Sequence, residues 1–428
     1  MDKKQFAPCS AVVLALAIGA TSYAHALGND DRLTADALVE QVMRDNSGLQ
    51  SLEHAVDAAS SREIPAGALD DPILGYAIAP RSIGVHDLDT GHILRFEQPL
   101  PWFGKRTTRR AAARSATASE NAALDAGQLR AMLMARLLYA DWYFVHGALD
   151  VNDAQQRALT ELEDTAEGLY RSGLGSQGGV LTASLRREQR VQEALTLRAN
   201  RDGIAARINA LRSQPVGTRV APPGALPAQR SLPDLAVVAS ALGNDNPDLA
   251  RLAALEDRSA QQAALAELDY RPDFRLTAQY LGTLPREENR GQIGFVLNLP
   301  FGQRKRDAAL DAARSDQARL AAKQIDRRNE LLAELASVHA KAQSAIRTFA
   351  LYHSRLLPLA QQAQEAALAD FAAGSGTARD VIDAEEDLLT TRLGALRAET
   401  DIYKYEARLR WLAGPAPFES TASNNAQE

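Results

Sequence analysis

The sequence FRLTAQY, at residues 274–280, alternates apolar and polar side chains, and QIGFVLNL, at residues 292–299, alternates them again. A period of two gives a β-strand one apolar face and one polar face, so both stretches predict strands. Weaker counterparts lie earlier in the chain, at residues 73–79 and 92–98. Each stretch has 7 or 8 residues, which is close to the roughly 9–11 residues of a tilted strand that crosses a bilayer.

These paired stretches belong to a longer internal duplication. Several short motifs recur in the same order at offsets of 199–201 residues. They are Asp45-Asn46 with Asp245-Asn246, Leu69-Asp70 with Leu268-Asp269, Leu100-Pro101 with Leu299-Pro300, and Gly173 with Gly374. We therefore predict two tandem repeats, at residues 27–213 and 233–414. A Pro-rich, semi-rigid linker at 214–232 would join them, and a disordered polar tail at 415–428 would follow.

Each repeat is predicted to hold a first helix of about 30 residues, then two strands, then a hairpin of very long helices. Proline is absent between Pro101 and Pro215, so one helix could run from Arg106 to Tyr170. At about 1.5 Å per residue that helix would be roughly 100 Å long. Gly127, Gly147 and Pro358 are expected to mark bends or breaks in the long helices rather than their ends.

The first 26 residues have the three-part pattern of a secretory signal peptide. Lys3 and Lys4 precede an apolar run at residues 11–20, and the small residues Ala24 and Ala26 end the segment. We predict that residues 1–26 are a signal peptide and that the chain is exported from a bacterial cytoplasm. Cys9 precedes the apolar run, so a lipid anchor on it is not expected.

Composition excludes several classes of function. Apolar residues make up 46% of the chain and aromatic residues only 5%, which favours long helices over a β-sandwich. The formal charge of −6 argues against a nucleic-acid partner. Cys9 is the only cysteine, and the histidines are not paired at ligand spacing, so we expect no metal site and no cofactor. Motifs of catalytic sites are missing as well, and we expect no enzyme activity.

Alternating strands in an exported chain suggest an outer-membrane β-barrel, because an open sheet edge is not tolerated in lipid. Four strands cannot close, since known barrels have at least eight. A barrel shared between subunits resolves the conflict: two subunits would supply eight strands and three would supply twelve. The interior of an eight-stranded barrel is filled by its own side chains, whereas a twelve-stranded barrel could leave a lumen. The predicted fold is mainly α with a small β part.

Three motifs resemble a known family. They are QPLPWFGK at residues 98–105, LPFG at 299–302 and GSGTARDVIDA at 374–384. Over about residues 33–414 the chain resembles the TolC-like outer membrane efflux proteins, the exit ducts of tripartite pumps. The strand-to-helix motif is most similar to the heavy-metal cation efflux branch, although the lipidated cysteine of many of its members is missing.

The resemblance implies a homotrimer with a 12-stranded transmembrane barrel, four strands per subunit, continued by a long periplasmic α-helical barrel. It implies a passive channel in the outer membrane lipid, which extends into the periplasm and exports heavy-metal cations. The implied partners are a periplasmic adaptor protein and an inner-membrane pump of the resistance-nodulation-division (RND) type, which supplies the energy.

Two glycine-containing segments are predicted to reverse the long helices, because glycine adopts a positive φ after a helix end. The resemblance adds that these turns form a periplasmic tip that contacts the adaptor. The predicted tip residues are Gly173, Leu174, Gly175, Gly374, Ser375, Gly376 and Thr377.

Asp380 and Asp383 lie three residues apart, on one face of the predicted last helix. By resemblance they match acidic rings that narrow the tunnel, where three copies would present six carboxylates and favour cations. The alternative is local: Thr377 caps the helix and Asp380 complements its dipole. In the first repeat the equivalent positions are Gly179 and Thr182, which carry no charge.

Basic runs follow the prolines that end the strands, and aromatic residues lie between them. Trp102 and Phe301 are predicted to anchor the barrel at the inner membrane interface. The neighbouring runs, Lys105-Arg106 and Arg304-Lys305-Arg306, could contact lipid phosphates or could simply be solvated helix starts.

Two alternatives stay open at this point. Within the same class, the chain could be a duct for drugs and other small molecules or for type I protein secretion. From another class, it could be a soluble periplasmic coiled-coil scaffold without a pore. That alternative treats the alternating stretches as ordinary hairpins and gives no reason for the duplication.

Overall fold

The computed structural model describes residues 32–79, 91–227, 232–242, 246–282 and 290–413. The predicted signal peptide and the predicted tail lie outside the described residues, as do the segments that join the paired strands.

Four strands form one antiparallel sheet in the order β1-β2-β3-β4. They are β1 (Ile73–Ala79), β2 (Gly91–Leu100), β3 (Asp273–Gly282) and β4 (Gly291–Asn298). All four lie where the alternation of side chains predicts strands, so the predicted small β part is confirmed. The pairs β1-β2 and β3-β4 lie one in each predicted repeat, and pairing of β2 with β3 joins them.

The register of the sheet separates an apolar face from a polar face, because directly opposed residues of an antiparallel pair share a face. The apolar residues of one face are Leu74, Tyr76, Ile78, Leu94, Phe96, Leu100, Phe274, Leu276, Tyr280, Ile293, Phe295 and Leu297. Many of them are exposed in the single chain, Phe295 by 74%. On the other face Glu97 forms ion pairs with Arg275 at 3.2 Å and Arg95 at 3.9 Å.

The first repeat contains five of the described helices. They are α1 (Ala35–Asp45), α2 (Ser47–Ser61), α3 (Glu63–Gly67), α4 (Lys105–Arg171) and α5 (Gln177–Leu211). With 67 residues, α4 is about 100 Å long, as predicted from the proline-free stretch.

The prediction of one long first helix is wrong, because Asn46 divides it into α1 and α2. The Asn46 side chain accepts a hydrogen bond from the Leu49 backbone N–H at 3.0 Å and so caps α2. Its Nδ2 donates to the Leu211 carbonyl at 2.6 Å. An asparagine side chain competes with the helical hydrogen bonds of the backbone, and hydrophobic periodicity does not report that competition.

The predicted second repeat also places short helices before its two strands and long helices after them. Its helices are α6 (Leu235–Ala241), α7 (Pro247–Leu268), α8 (Gln303–Leu351), α9 (Leu357–Ala372) and α10 (Ala378–Ala413). Asn246 caps α7, and its Nδ2 donates to the Leu412 carbonyl at 3.1 Å. In each repeat an asparagine therefore ties the start of an early helix to the end of the last one.

No break in the helix occurs at two of the three predicted positions. At Gly127 and Gly147 the helix α4 continues without a break. A Cβ at Gly147 would lie 2.8 Å from Leu396 Cδ2, and one at Gly127 would overlap Leu52. These glycines allow close packing between helices instead. Just before Pro358 the α-helix is interrupted by a π-helical turn, Tyr352–Leu356, between α8 and α9, so a break at this place is confirmed.

The linker packs on α4 along its described part. Tyr139 Oη donates to the Gly224 carbonyl at 3.0 Å, and Trp142 Nε1 donates to the Ala221 carbonyl at 2.9 Å. Tyr139 is fully buried in a core that also includes α1. The long helices themselves pack together, α4 against α5, α7 and α10, and α8 against α7 and α10.

Candidate functional site

Both predicted helix reversals are present, and they have the same geometry. Gly173 has φ +79° and Gly374 has φ +74°, in the left-handed region that favours glycine. The next backbone N–H, of Leu174 or Ser375, donates at 2.9 Å to a carbonyl of the preceding helix. This pattern closes a helix end after a left-handed glycine, so the expectation of glycine turns is confirmed.

The turns project away from the rest of the chain. A Cβ at Gly173 or at Gly374 would have no atom within 4 Å, and Leu174 is 80% exposed. Gly175 and Gly376 differ, because a Cβ there would lie about 3.0–3.1 Å from the preceding helix. Below the turns a small apolar core holds the two hairpins together. Its members are Leu159, Leu162, Ala166, Ala183, Phe371, Ala378, Val381 and Ile382.

Asp380 takes part in a capping box at the start of α10. Its Oδ2 accepts hydrogen bonds from the Thr377 backbone N–H at 2.9 Å and from Thr377 Oγ1 at 2.7 Å. The Asp380 backbone N–H donates to Thr377 Oγ1 in return, at 3.3 Å. The Thr377 hydroxyl, and then its backbone N–H, lower the pKa of Asp380. The local alternative for Thr377 and Asp380 is therefore correct, and it leaves the Asp380 carboxylate ionised and exposed.

Asp383 is exposed on the same face of α10, and its carboxylate has no hydrogen bond or ion pair among the described residues. One turn further, Asp387 is exposed as well. Spacings of three and four residues place the three carboxylates in one acidic stripe. Sequence reasoning missed Asp387, although its spacing from Asp383 could have found it.

The two predicted interface aromatics lie where strands pass into long helices. Trp102 stacks on Phe274 with ring centroids 5.4 Å apart, and its backbone N–H donates to Asp273 Oδ1 at 2.8 Å. Phe301 is 86% exposed. Trp102 lines an apolar cavity of about 620 Å³ together with Phe103 and Phe295.

Arg106 and Arg110 border that cavity. Neither has a carboxylate within ion-pair distance among the described residues, although Arg106 Nε donates to the Gly67 carbonyl at 2.9 Å. Lys105 behaves differently from its neighbours. It is 3% exposed and forms ion pairs with Asp269 at 2.9 Å and Asp273 at 3.0 Å. For Lys105 both sequence expectations, lipid contact and solvation, are wrong.

A titratable side chain lies beside the linker. The His146 ring meets the Trp142 ring edge-on with centroids 4.5 Å apart, and its Nε2 has no hydrogen-bond partner in the described part of the chain. Burial, and then the charge of Arg201, lower the pKa of His146, while Asp150 opposes them. The ring is therefore held neutral.

The described residues contain neither a cluster of metal-ligating side chains nor a helix suited to spanning a membrane. Within these ranges no three His, Cys, Asp or Glu side chains lie together so that they could hold a metal ion. Of the helices described above, none is both long and apolar enough to span a membrane.

The fold is that of solved outer-membrane channels. The chain is similar to the outer-membrane channel OprN, with 17% identity, a TM-score of 0.78 and 89% of each chain covered. It is similar to the outer membrane protein VceC of Vibrio cholerae, with 19% identity and a TM-score of 0.77, over 89% of this chain and 96% of VceC. It is also similar to CusC, with 16% identity and a TM-score of 0.73, over 89% of this chain and 92% of CusC.

Residues 238–415 match the family model described as outer membrane efflux protein. The match confirms the resemblance found from the sequence over this part of the chain. It agrees with the predicted outer-membrane location and with a role in transport rather than in enzymatic catalysis. No individually curated protein matches the chain.

Proposed function

We propose that this chain is the passive outer-membrane exit duct of a tripartite efflux system and that it works as a homotrimer. The observation that carries the proposal is the open four-stranded sheet. One face is apolar and exposed, and the outer edges of β1 and β4 are unpaired within the described chain. Such a sheet can lie in lipid only if other copies close it.

Three copies account for the sheet best. They give twelve strands, enough to leave a lumen, whereas eight strands fill with their own side chains. The polar face, with Arg95, Glu97 and Arg275, would line that lumen, and the apolar face would meet lipid. The scaffold alternative would leave aromatic and branched side chains such as Phe295 and Ile293 in water, where large apolar patches are rare.

The long helices would continue the wall of the barrel into the periplasm. A 67-residue α4 reaches about 100 Å, and the glycine turns at its far end would form the tip. We propose that Gly173, Leu174 and Gly175, with the Gly374–Thr377 turn, contact a periplasmic adaptor. The adaptor would link the duct to an RND-type pump in the inner membrane, and tip opening would be a rearrangement of packed helices.

Asp380 and Asp383 would narrow the tunnel near this tip. Six carboxylates around one axis, with Asp387 one turn deeper, would create a field that favours cations. The hydrogen bonds from Thr377 lower the pKa of Asp380 and so favour its charged form in each copy. Its capping role is compatible with the ring, because a capping carboxylate keeps its charge.

Trp102 and Phe301 would anchor the barrel at the periplasmic membrane interface. Exposure of Phe301, and the apolar cavity beside Trp102, suit the aromatic girdle of a transmembrane barrel. The nearby Arg106 and Arg110 would face lipid phosphates.

Heavy-metal cations are the proposed cargo. The acidic stripe and the similarity of the QPLPWFGK motif to the heavy-metal branch support them. Drugs, other small molecules and secreted proteins are the alternative cargo. Growth of a deletion strain on metal salts and on drugs would distinguish them: sensitivity confined to drugs would contradict the metal assignment.

The division of the chain is proposed as predicted: a signal peptide at 1–26, repeats at 27–213 and 233–414, a linker at 214–232 and a polar tail at 415–428. The matched bonds of Asn46 and Asn246 support the duplication. N-terminal sequencing of the exported protein should begin at Leu27, and a start at Met1 would contradict the signal peptide.

Planar-bilayer conductance tests the duct. We expect discrete, cation-selective steps from the purified protein, small because the tip narrows the tunnel. Thr377→Val removes the capping hydroxyl and should raise the conductance by loosening the tip. If neither protein produces steps, the duct proposal is wrong.

A further inference from the structure

Asp273 joins the two hairpins of the sheet within one chain. It starts β3, next to the end of β2, where Leu100 lies opposite Phe274. Its carboxylate accepts from the Trp102 backbone N–H at 2.8 Å and pairs with Lys105 Nζ at 3.0 Å. The contact therefore fixes the start of β3, in the second hairpin, to the first turn of α4, which follows the first hairpin.

Because the two hairpins are duplicates, each residue of this junction has an equivalent in the other hairpin. Phe96 of β2 corresponds to Phe295 of β4, at the same offset of 199 residues as Leu100 and Leu299. Phe96 lies opposite Leu74, and Phe295 lies opposite Leu276. Leu74 is therefore equivalent to Leu276, an offset of 202 residues, and Asp71 is equivalent to Asp273.

An independent contact gives the same offset. Arg106 Nε donates to the Gly67 carbonyl at 2.9 Å, and Arg306 Nε donates to the Asp269 carbonyl at 2.7 Å. The two arginines are 200 residues apart in the sequence, and the two residues whose carbonyls accept these bonds are 202 apart, which is the offset between Leu74 and Leu276. Lys105 is therefore equivalent to Lys305. The sequence pairing of Leu69-Asp70 with Leu268-Asp269 is out of register by three residues, because the segment before β1 differs in length from the segment before β3.

The equivalents of Asp273 and Lys105 are Asp71 and Lys305, which lie at opposite edges of the sheet. Asp71 precedes β1, and Lys305 lies in the first turn of α8, just after β4. Both are exposed, and neither has an ion-pair partner among the described residues. Their equivalents within the chain, Asp273 and Lys105, are paired.

We infer that β4 of one copy pairs with β1 of the next with Leu297 opposite Leu74, and that Lys305 of the first copy forms an ion pair with Asp71 of the second. The inference rests on the proposed function, since it needs a closed ring of copies. It goes beyond the number of copies because it specifies the strand register and the charges that fix it.

The register agrees with the pattern of side chains. Leu297 opposite Leu74 implies Phe295 opposite Tyr76 and Ile293 opposite Ile78. All of these lie on the apolar face of the sheet in the single chain. A slip of one residue would set these β4 side chains opposite Ile73, Gly75 and Ala77, which lie on the other face of the sheet. Because opposed residues of an antiparallel pair share a face, the whole apolar side of β4 would then turn away from lipid.

Disulfide cross-linking in isolated outer membranes tests the register. Cys9 is the only cysteine and lies in the predicted signal peptide, so introduced thiols would be the only ones in the exported chain. Leu74→Cys with Leu297→Cys should give covalent dimers and trimers on mild oxidation. Gln98→Cys with Leu276→Cys occupies the equivalent opposed pair within one chain. It should lose its free thiols without a change in mass.

A shifted pair decides between registers. Leu74→Cys with Phe295→Cys keeps both thiols on the apolar face but moves one by two residues, and its cross-linked fraction should be at least fivefold lower. Preferential cross-linking of the shifted pair would overturn the register. Trimers in detergent without cross-links from either pair would overturn it too, yet leave the proposed duct intact. Monomers in detergent would contradict the duct itself.

Charge exchange tests the ion pair. Asp71→Lys should reduce the trimer fraction at low protein concentration, and combination with Lys305→Asp should restore it. Asp70→Lys is the matched control, because Asp70 is adjacent, exposed and equally charged. If the exchange does not restore trimers, or if Asp70→Lys acts like Asp71→Lys, the ion pair is refuted.

Discussion

Substitution of Gly374 separates two contributions of the tip, its backbone turn and its surface. Gly374 has φ +74°, and a left-handed conformation costs most other residues about 1–2 kcal/mol. That cost shifts the equilibrium between the formed and the opened turn by a factor of about 5–30. Ala and Trp incur about the same backbone cost, and the Cβ of either has no atom of the described chain within 4 Å. Asn incurs less, because it tolerates this conformation.

If the tip contacts the adaptor, the size of the side chain decides the outcome. We expect Gly374→Asn and Gly374→Ala to keep most of the efflux activity and Gly374→Trp to abolish it. The assay is growth of the native host, with the chromosomal copy replaced, on graded amounts of a compound to which the deletion strain is sensitive. Adaptor recovered with the cross-linked complex gives a second readout.

Two controls accompany these variants: the mass of the complex and a substitution in the other turn. The mass of the detergent-extracted complex should be unchanged in every variant, since Gly374 lies far from the sheet. Gly173→Trp tests the other turn, which has the same φ region and the same open space. Equal activity of the Trp and Ala variants of Gly374 would show that the size of the side chain has no effect, and the adaptor contact would be wrong.

The remaining predictions concern charge, pH and a cap. Asp383→Asn should lower the cation preference of bilayer conductance without disturbing the turn, whereas Asp380→Asn should also loosen the capping box; unchanged selectivity in both would refute the ring. His146 has a lowered pKa, so the unfolded chain binds the proton more readily, and the free energy of unfolding should fall as pH drops below about 6.5. Titration by denaturant should show that His146→Leu removes this fall, and an unchanged pH profile would contradict it. Asn46→Ala should cost about 1–2 kcal/mol in urea unfolding, and Asn46→Asp less, because it keeps the cap and loses only the bond to Leu211; equal losses would contradict that division.

The strands and the long helix could be predicted because their signals are local. Period-two alternation marks each strand, and the absence of proline allows α4 to continue. Side-chain competition with the backbone is also local, but hydrophobic periodicity does not report it, so periodicity alone predicts no break at Asn46. The recurrence of Asp45-Asn46 at Asp245-Asn246 was visible in the sequence and marks that break in both repeats.

Contacts between distant segments could not be predicted in the same way. Lys105 looks like a solvated helix start, and its burial depends on Asp269 and Asp273, which lie more than 160 residues away. Gly127 and Gly147 look like helix breakers, yet each lies at a close approach between helices. In these cases tertiary packing overrides the local preference.

The candidate site was predicted in part. The turns at Gly173 and Gly374 follow from glycine chemistry, and the capping of α10 follows from the spacing of Thr377 and Asp380. The contact with an adaptor, the acidic ring and the interface anchors rest on surfaces that only other molecules complete, so they stay predictions.

The mass of the complex extracted in mild detergent from separated outer membranes tests the shared barrel most directly. Three copies per complex, found in the outer-membrane fraction, are the predicted result, because twelve strands then close around a lumen. A single copy in the soluble periplasmic fraction would contradict the duct and favour a coiled-coil scaffold.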